Sequence, residues 1–288
     1  MAGMSVDPGL PRVLPPDLEW EEGAVPHRLP RAAFRGPLVE ASTTHGLFRM
    51  PGVGRYLLPP TGPVIVAASP GAGQEDIDCF FSTSVAALAG LLAGLYPLHG
   101  AAVALDSRAV VILGPAGVGK STLAAALVGR GHQLLADGVI LIERSPCRVA
   151  PTTTDVRLWP DAAQALGLDL NAGQVIRPTL ASRRWALGRP TTEPAALDAV
   201  VIVVEDGRVD PTSGVEVESM RASDAFAHLV GAEWFPMAVG PLGRALDHFE
   251  HWVEVCSGIR RIARISRGTG PPSGFARSAA EVVESMLR

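Results

Sequence analysis

The stretch Gly114-Pro115-Ala116-Gly117-Val118-Gly119-Lys120-Ser121-Thr122, entered from the apolar run Ala109 to Leu113, constrains this chain more than any other feature. A glycine, four residues and then Gly119-Lys120-Ser121 is the spacing of a P-loop. There a strand ends in a tight turn whose backbone N–H groups point inward at a phosphate chain. Gly117 and Gly119 are free to take positive φ, and without a Cβ they let the backbone approach phosphate oxygens. Lys120 is placed to reach the β- and γ-phosphates, and the Ser121 hydroxyl to ligate Mg²⁺. Leu123, Ala124, Leu127 and Val128 follow at helical spacing, so the loop opens a helix whose N-terminal dipole favours the same anion. Residues 114–122 are therefore the expected ATP cradle, and an α/β fold is the expected frame.

The 288 residues suit one large domain or a core with a smaller appendage, and 47% hydrophobic against 19% charged residues supply a sizeable core. A formal net charge of −4 leaves no basic field for nucleic acid or anionic lipid. Cys79, Cys147 and Cys256 are odd in number and far apart. That argues against a disulfide framework or a cysteine zinc site, and leads us to expect reduced thiols and a cytoplasmic location.

Residues 1–37 are rich in proline, including Pro8, Pro11, Pro15 and Pro16, and show no Arg-flanked apolar run of a signal peptide. They predict a loosely ordered arm, with Leu18 and Trp20 available to dock. Over 38–95 the pattern predicts a small β-rich segment plus a helix. Leu47 to Met50, Arg55 to Leu58 and Val64 to Ala67 read as two or three antiparallel strands, separated by Pro51-Gly52, Pro59-Pro60 and Gly62-Pro63. No Asp, Glu, Lys or Arg lies between Asp78 and Asp106. A membrane span fits this poorly, because Pro97 interrupts it and His99 would lie in it unpaired. A buried helix from Thr83 to Leu95, capped by Ser82 or Thr83, followed by a strand from His99, fits better. Asp106-Ser107-Arg108 then turns that strand into the P-loop strand as a hairpin.

Beyond the loop, Gly129-Arg130-Gly131 ends the helix and His132 to Ala136 forms a strand with Asp137 at its carboxyl end. That is the edge of an open α/β sheet where ligands bind. Val139 to Glu143 resumes as a strand, and a short helix spans Asp161 to Leu166. Arg177, Arg183, Arg184 and Arg189 sit in a segment that reads as loop. A strand at Ala199 to Val204, helices at Ser223 to Glu233 and Leu242 to Cys256, a strand at Ile259 to Ile265 and a final helix from Arg277 to Met286 complete 96–288, the expected catalytic domain.

Leu98-His99-Gly100, the P-loop and Arg130-Gly131-His132-Gln133-Leu134-Leu135-Ala136-Asp137 together resemble the catalytic core of the HPr serine kinase/phosphorylase family. The stretch Asp155 to Pro160 is similar to HPr-kinase-like proteins of peptide biosynthetic clusters, such as lasso-peptide precursor kinases. The resemblance implies a P-loop kinase core of the HPr kinase / phosphoenolpyruvate carboxykinase type with a small N-terminal β-rich extension. It also implies ATP and Mg²⁺ as cofactors, Asp137 as the acceptor of the nucleophile's proton, and His99 beside it, paired with Asp137 or a phosphate oxygen. Gly138 stands where the family has a second Asp, and residues 1–95 do not resemble the bifunctional enzyme's N-terminal domain. The expected activity is phosphorylation of a hydroxyl, a serine of a peptide or small protein, with a homo-oligomer left open.

Other residues have plainer readings beside functional ones. Arg157, in the similar stretch, is the preferred phosphate or substrate contact over Arg183 and Arg184, since loop arginines are usually solvated. His132 reads as structural, closing its turn through a backbone contact. His248 and His251 share a helix face but lack a third zinc ligand. The run Val200 to Asp206 is the competing feature. An apolar strand ending in acid is also what a Walker B strand looks like, and on that view Asp206 holds the metal of an ATPase or nucleotide-binding regulator. A small-molecule kinase is the third alternative.

Overall fold

The computed structural model describes residues 15, 17–143, 146–210, 214–270 and 274–288. They form two compact units, the first ending at Gly94 and the second being Leu95–Arg288.

In the first unit six strands pair side by side: β1 (Trp20–Glu22), β2 (Phe34–Arg35), β3 (Val39–Ala41), β4 (Gly46–Met50), β5 (Gly54–Leu58) and β6 (Val64–Ala68). The order is β1-β6-β5-β4-β3-β2. The three strands expected over 47–67 are β4, β5 and β6, antiparallel as read. Over residues 20–29 the loose reading is corrected, while the docking expected at Trp20 is seen: Trp20–Glu22 runs parallel to β6, and Val25 and Leu29 bury against Leu47. Pro8, Pro11 and Pro16 lie outside the described residues. The helix is corrected too. It begins at Gln74, as α1 (Gln74–Phe80), passes through a π-turn at Phe81–Val85, and continues as α2 (Ala86–Leu92). Ser82 and Thr83 are not caps, because their hydroxyls donate back to the Asp78 and Cys79 carbonyls at 2.9 and 2.7 Å inside the helix. No helix among the described residues is long and apolar enough to cross a membrane.

The second unit is built on the hairpin β7 (Ala101–Leu105) and β8 (Arg108–Leu113). Asp106 and Ser107 have φ of 50° and 65°, the paired left-handed conformation whose twist matches a two-residue hairpin. Beside β8 lies β15 (Ala195–Glu205), and beside that β17 (Arg261–Arg267), all three parallel. On the far side β9 (Gln133–Asp137) closes antiparallel onto β7. Then β16 (Val215–Ser219) extends β17, and the hairpin β10 (Leu141–Glu143) with β11 (Arg148–Ala150) attaches at the start of β15. The central strands are apolar on both faces, as buried parallel strands must be. Over one face lie α3 (Lys120–Gly129) and α8 (Ala276–Leu287). Their Leu123, Ala124, Leu127, Ala279, Ala280 and Val283 join Val110, Ile112, Val201 and Val203 in one core.

A separate small sheet brings β12 (Asp155–Leu158), β13 (Gln174–Val175) and β14 (Arg183–Ala186) together in the order β12-β14-β13. Arg183 and Arg184, read as loop residues, are thus on a strand. Short α4 (Pro160–Ala165), then α5 (Ala222–Gly231), α6 (Pro236–Val239) and α7 (Ala245–Gly258) complete the unit.

Candidate active site

The loop leaves β8 at Gly114, where φ is 142°, and an added Cβ there would lie 2.2 Å from the Val203 carbonyl oxygen of β15. Only glycine lets the chain turn so tightly against the neighbouring strand. Gly117 and Gly119 have φ of 77° and 104°, and Gly119 caps α3. Pro115, Ala116 and Gly117 are exposed, whereas Val118 and Thr122 pack inward. The upstream His-Gly pair has a packing reason as well: a Cβ on Gly100 would meet the Ile112 carbonyl oxygen at 2.6 Å.

Lys120, only 7% exposed, donates to the carbonyls of Gly114 and Pro115, each at 2.9 Å. Its ammonium therefore closes the loop on itself. Burial holds it below the ordinary lysine range, and the Asp137 charge works in the opposite direction. One residue on, the Ser121 hydroxyl donates to Asp137 Oδ1 at 2.7 Å, while the Arg157 backbone N–H donates to Oδ2 at 2.8 Å. The end of β9 and the middle of β12 thus fix Asp137 against the first turn of α3. Burial raises the Asp137 carboxyl above the usual carboxylate range, opposed by the Arg157 amide, the Ser121 hydroxyl and the charges of Arg157 and Lys120.

His99 does not pair with Asp137. Its ring stacks on Trp234, with centroids 5.4 Å apart and planes at 21°, and the Trp234 indole donates to the Gly138 carbonyl at 3.2 Å. Desolvation, then the charges of Lys120 and Arg157, hold the imidazole below the usual histidine range. Because the residue is exposed, the two cations are the firmer cause. The Arg157 guanidinium makes no hydrogen bond or ion pair among the described residues. Gly138, at φ 90°, donates to the Gly100 carbonyl at 2.8 Å. It is a left-handed position at the strand end, and the register shift between β7 and β9 falls instead between Ala102 and Val103.

The competing acids are occupied by arginines of their own. Glu205 accepts from Arg267 at 2.5 Å, and Asp206 accepts from Arg208 at 2.7 Å, which holds its carboxyl near pKa about 2. Although β15 lies beside β8 as a Walker B strand should, the carboxylate hydrogen-bonded to Ser121 is that of Asp137. Arg267, which sequence reasoning missed, is 4% exposed and donates to the Val118 carbonyl of the loop at 3.0 Å. It ends β17, which also carries Arg261 and Arg264, so nothing in the sequence singles it out. Trp234 was missed as well, since nothing local ties it to His99.

Three further readings are settled by placement. His132 closes its turn as read, its backbone N–H donating to the Leu127 carbonyl at 3.2 Å, and its Nε2 also lies 2.9 Å from Glu284 of α8. Arg183 donates to the Leu170 and Gly173 carbonyls. His248 lies 2.5 Å from Glu233 and edge-on to Tyr96, and no group of three metal-ligating side chains occurs among the described residues.

A strand, a glycine loop that only glycine can follow, a buried lysine and a serine-carboxylate pair at the head of a helix define a P-loop fold of the kinase type. Within that frame, residues 91–155 match the family described as HPr Serine kinase C-terminal domain. An HPr kinase/phosphorylase of Nitrosomonas europaea is 36% identical over 101 residues, which are 34% of this chain and 30% of that protein. A putative HPr kinase/phosphorylase 2 of Oceanobacillus iheyensis is 43% identical over 47 residues, 16% of this chain and 15% of that one. The chain therefore spans less than a third of either curated relative. The solved Hpr(Ser) kinase/phosphatase of Coxiella burnetii aligns at a TM-score of 0.32 and 17% identity, covering 67% of this chain and 88% of that one. That likeness is too distant to compare residues.

Proposed function

We propose that this chain is an ATP- and Mg²⁺-dependent kinase that transfers the γ-phosphoryl group to a hydroxyl, a serine of a peptide or small protein. The observation that carries it is the Ser121–Asp137 hydrogen bond beside buried Lys120. It puts a cation, a metal-type hydroxyl and a proton acceptor at one helix N-terminus. The Ser121 hydroxyl is a hard oxygen donor of the kind Mg²⁺ takes, so the residue fits the ion. When bound, Mg²⁺ supplies charge neutralisation between the β- and γ-phosphates. Lys120 gives up its two carbonyl partners for phosphate oxygens. The acceptor O–H bonds to the γ-phosphorus as the bond to ADP breaks, and its proton passes to Asp137, whose raised pKa suits it to receive one. The Arg157 guanidinium, which makes no hydrogen bond or ion pair among the described residues, is available as a phosphate or substrate contact.

The same bond favours a second reading of Asp137, as the carboxylate that orients Ser121 toward the metal and takes no proton. Asp137→Asn separates them. A lost base lowers transfer by about 10² to 10⁴ while nucleotide affinity and its Mg²⁺ dependence stay as in the wild type. A lost metal carboxylate instead raises the Mg²⁺ concentration needed for nucleotide binding. Release of phosphate to water with no phosphorylated acceptor would return the chain to the ATPase class.

A further inference from the structure

The outer face of the small sheet carries a row of side chains that the phosphate site does not use. Antiparallel pairing sets Arg157 of β12 directly opposite Arg184 of β14, and Arg184 opposite Gln174 of β13. Residues directly opposite across a ladder project from the same face, and like charges so placed repel. The inner positions of the same strands are buried by Val156, Leu158 and Trp185. The row is thus outward, and packing does not force its composition. Asp155 offsets it in part, with its carboxylate 3.6 Å from Arg184 Nε. Arg157 has no such carboxylate, and its charge acts on Asp137 and His99. The row therefore begins at the proposed proton acceptor and runs away from it across two strands.

We infer that Arg157 and Arg184 form an oxyanion subsite that holds a carboxylate or phosphate group carried by the acceptor, next to its reacting hydroxyl. This rests on the kinase reading of the site and names its substrate class: an acceptor with an anionic group beside the hydroxyl. Two arginines on one face of neighbouring strands can converge on one oxyanion, and bidentate arginine contacts to such groups are strong. Binding relieves the Arg157–Arg184 repulsion, and Arg184 exchanges its loose contact with Asp155 for a closer one. The residue types fit an anion and exclude a cationic acceptor.

The test is binding, so that it does not depend on turnover. Full-length Lys120→Ala, whose P-loop has lost its phosphate-binding ammonium, is titrated with inorganic phosphate by calorimetry. The titration is repeated with Arg184→Gln and with Arg184→Lys added. Saturable binding that weakens at least tenfold with Arg184→Gln, and less with Arg184→Lys, is expected; equal binding in all three overturns the subsite. Circular dichroism of each variant shows whether the sheet is intact, and Arg157→Gln gives a second route to the same loss. In the second arm N-acetyl-Ser-Asp-amide and N-acetyl-Ser-Asn-amide compete with phosphate. Displacement by the aspartyl peptide alone supports an acceptor-borne carboxylate. Equal displacement by both, or by neither, overturns the assignment to the acceptor. A wild type that binds no ATP analogue would remove the kinase reading while leaving the phosphate comparison intact.

Discussion

At the scale of single residues the site turns on where charge is buried. Lys120→Ala removes the ammonium that meets the phosphates and frees two loop carbonyls, Gly114 and Pro115. Nucleotide binding and transfer should both be lost with the circular dichroism spectrum unchanged. Asp137 gives a prediction with a sign in pH. Its folded carboxyl titrates above the unfolded value of about 3.9. The folded state therefore binds more protons, and stability falls as pH rises from the unfolded pKa through the folded one. Asparagine can accept from the Arg157 amide and donate to Ser121, so Asp137→Asn keeps both contacts without the buried charge. Urea midpoints should show the variant gaining on the wild type as pH rises above about 4, with no change in their difference below it. Transfer should behave oppositely, with the wild type's acid limb lying above the ordinary aspartate range and the variant nearly inactive. Gly138 tests the missing second acid. At φ 90° a side chain costs about 1 kcal/mol, so Gly138→Asp should lower stability by that amount. If the second carboxylate serves reversal, phosphate-driven dephosphorylation of the product should rise above the wild-type rate; if not, only the stability loss appears.

At the scale of elements, sequence was informative wherever structure is local. The P-loop, its strand and helix, the 106–107 turn and Asp137 at the end of β9 were legible because each depends on neighbours in sequence. The start of the first helix was not, because Ser82 and Thr83 look like caps while their hydroxyls bond back into the helix. Likewise β1, β2, β13 and β14 are short strands whose partners come from elsewhere, and no local pattern marks them. The contacts that complete the site are longer in range still. Trp234 reaches Gly138, Arg267 reaches the loop at Val118, and Glu284 reaches Arg130 and His132. Glu284 ties the end of α3 to α8. The Arg130 bonds, with His132, hold its carboxyl down to about 2. A depressed carboxylate adds stability above its unfolded pKa and loses it as pH falls through the folded one. Glu284→Gln should therefore unfold at lower urea than wild type at pH 7, and the gap should close as pH falls from about 4.3 toward 2. A gap independent of pH would mean that the contact acts through packing alone.

At the scale of the whole molecule, the matched segment is residues 91–155, and the acceptor site draws on parts beyond it. The P-loop, α3 and β9 lie inside the match, whereas Arg157, Arg184, Gln174 and Trp234 lie outside it. On the proposed kinase reading, the nucleotide end should therefore behave like that of P-loop kinases, and the choice of acceptor should be this chain's own. A net charge of −4 gives no global attraction for an acidic acceptor. Recognition has to come from local cations, and it should weaken as salt screens them over a Debye length of about 8 Å. The decisive measurement incubates the chain with labelled ATP and Mg²⁺ together with the small proteins encoded beside it, and reads products by mass spectrometry. Gain of one phosphate on a serine of one of them, lost with Asp137→Asn and reduced by added salt through acceptor KM more than through kcat, is expected. Label appearing only on small metabolites would transfer the chemistry to a small-molecule kinase. Label released only as inorganic phosphate would reduce the site to an ATPase, in which Asp137 aligns Ser121 with the metal and no acceptor hydroxyl is served.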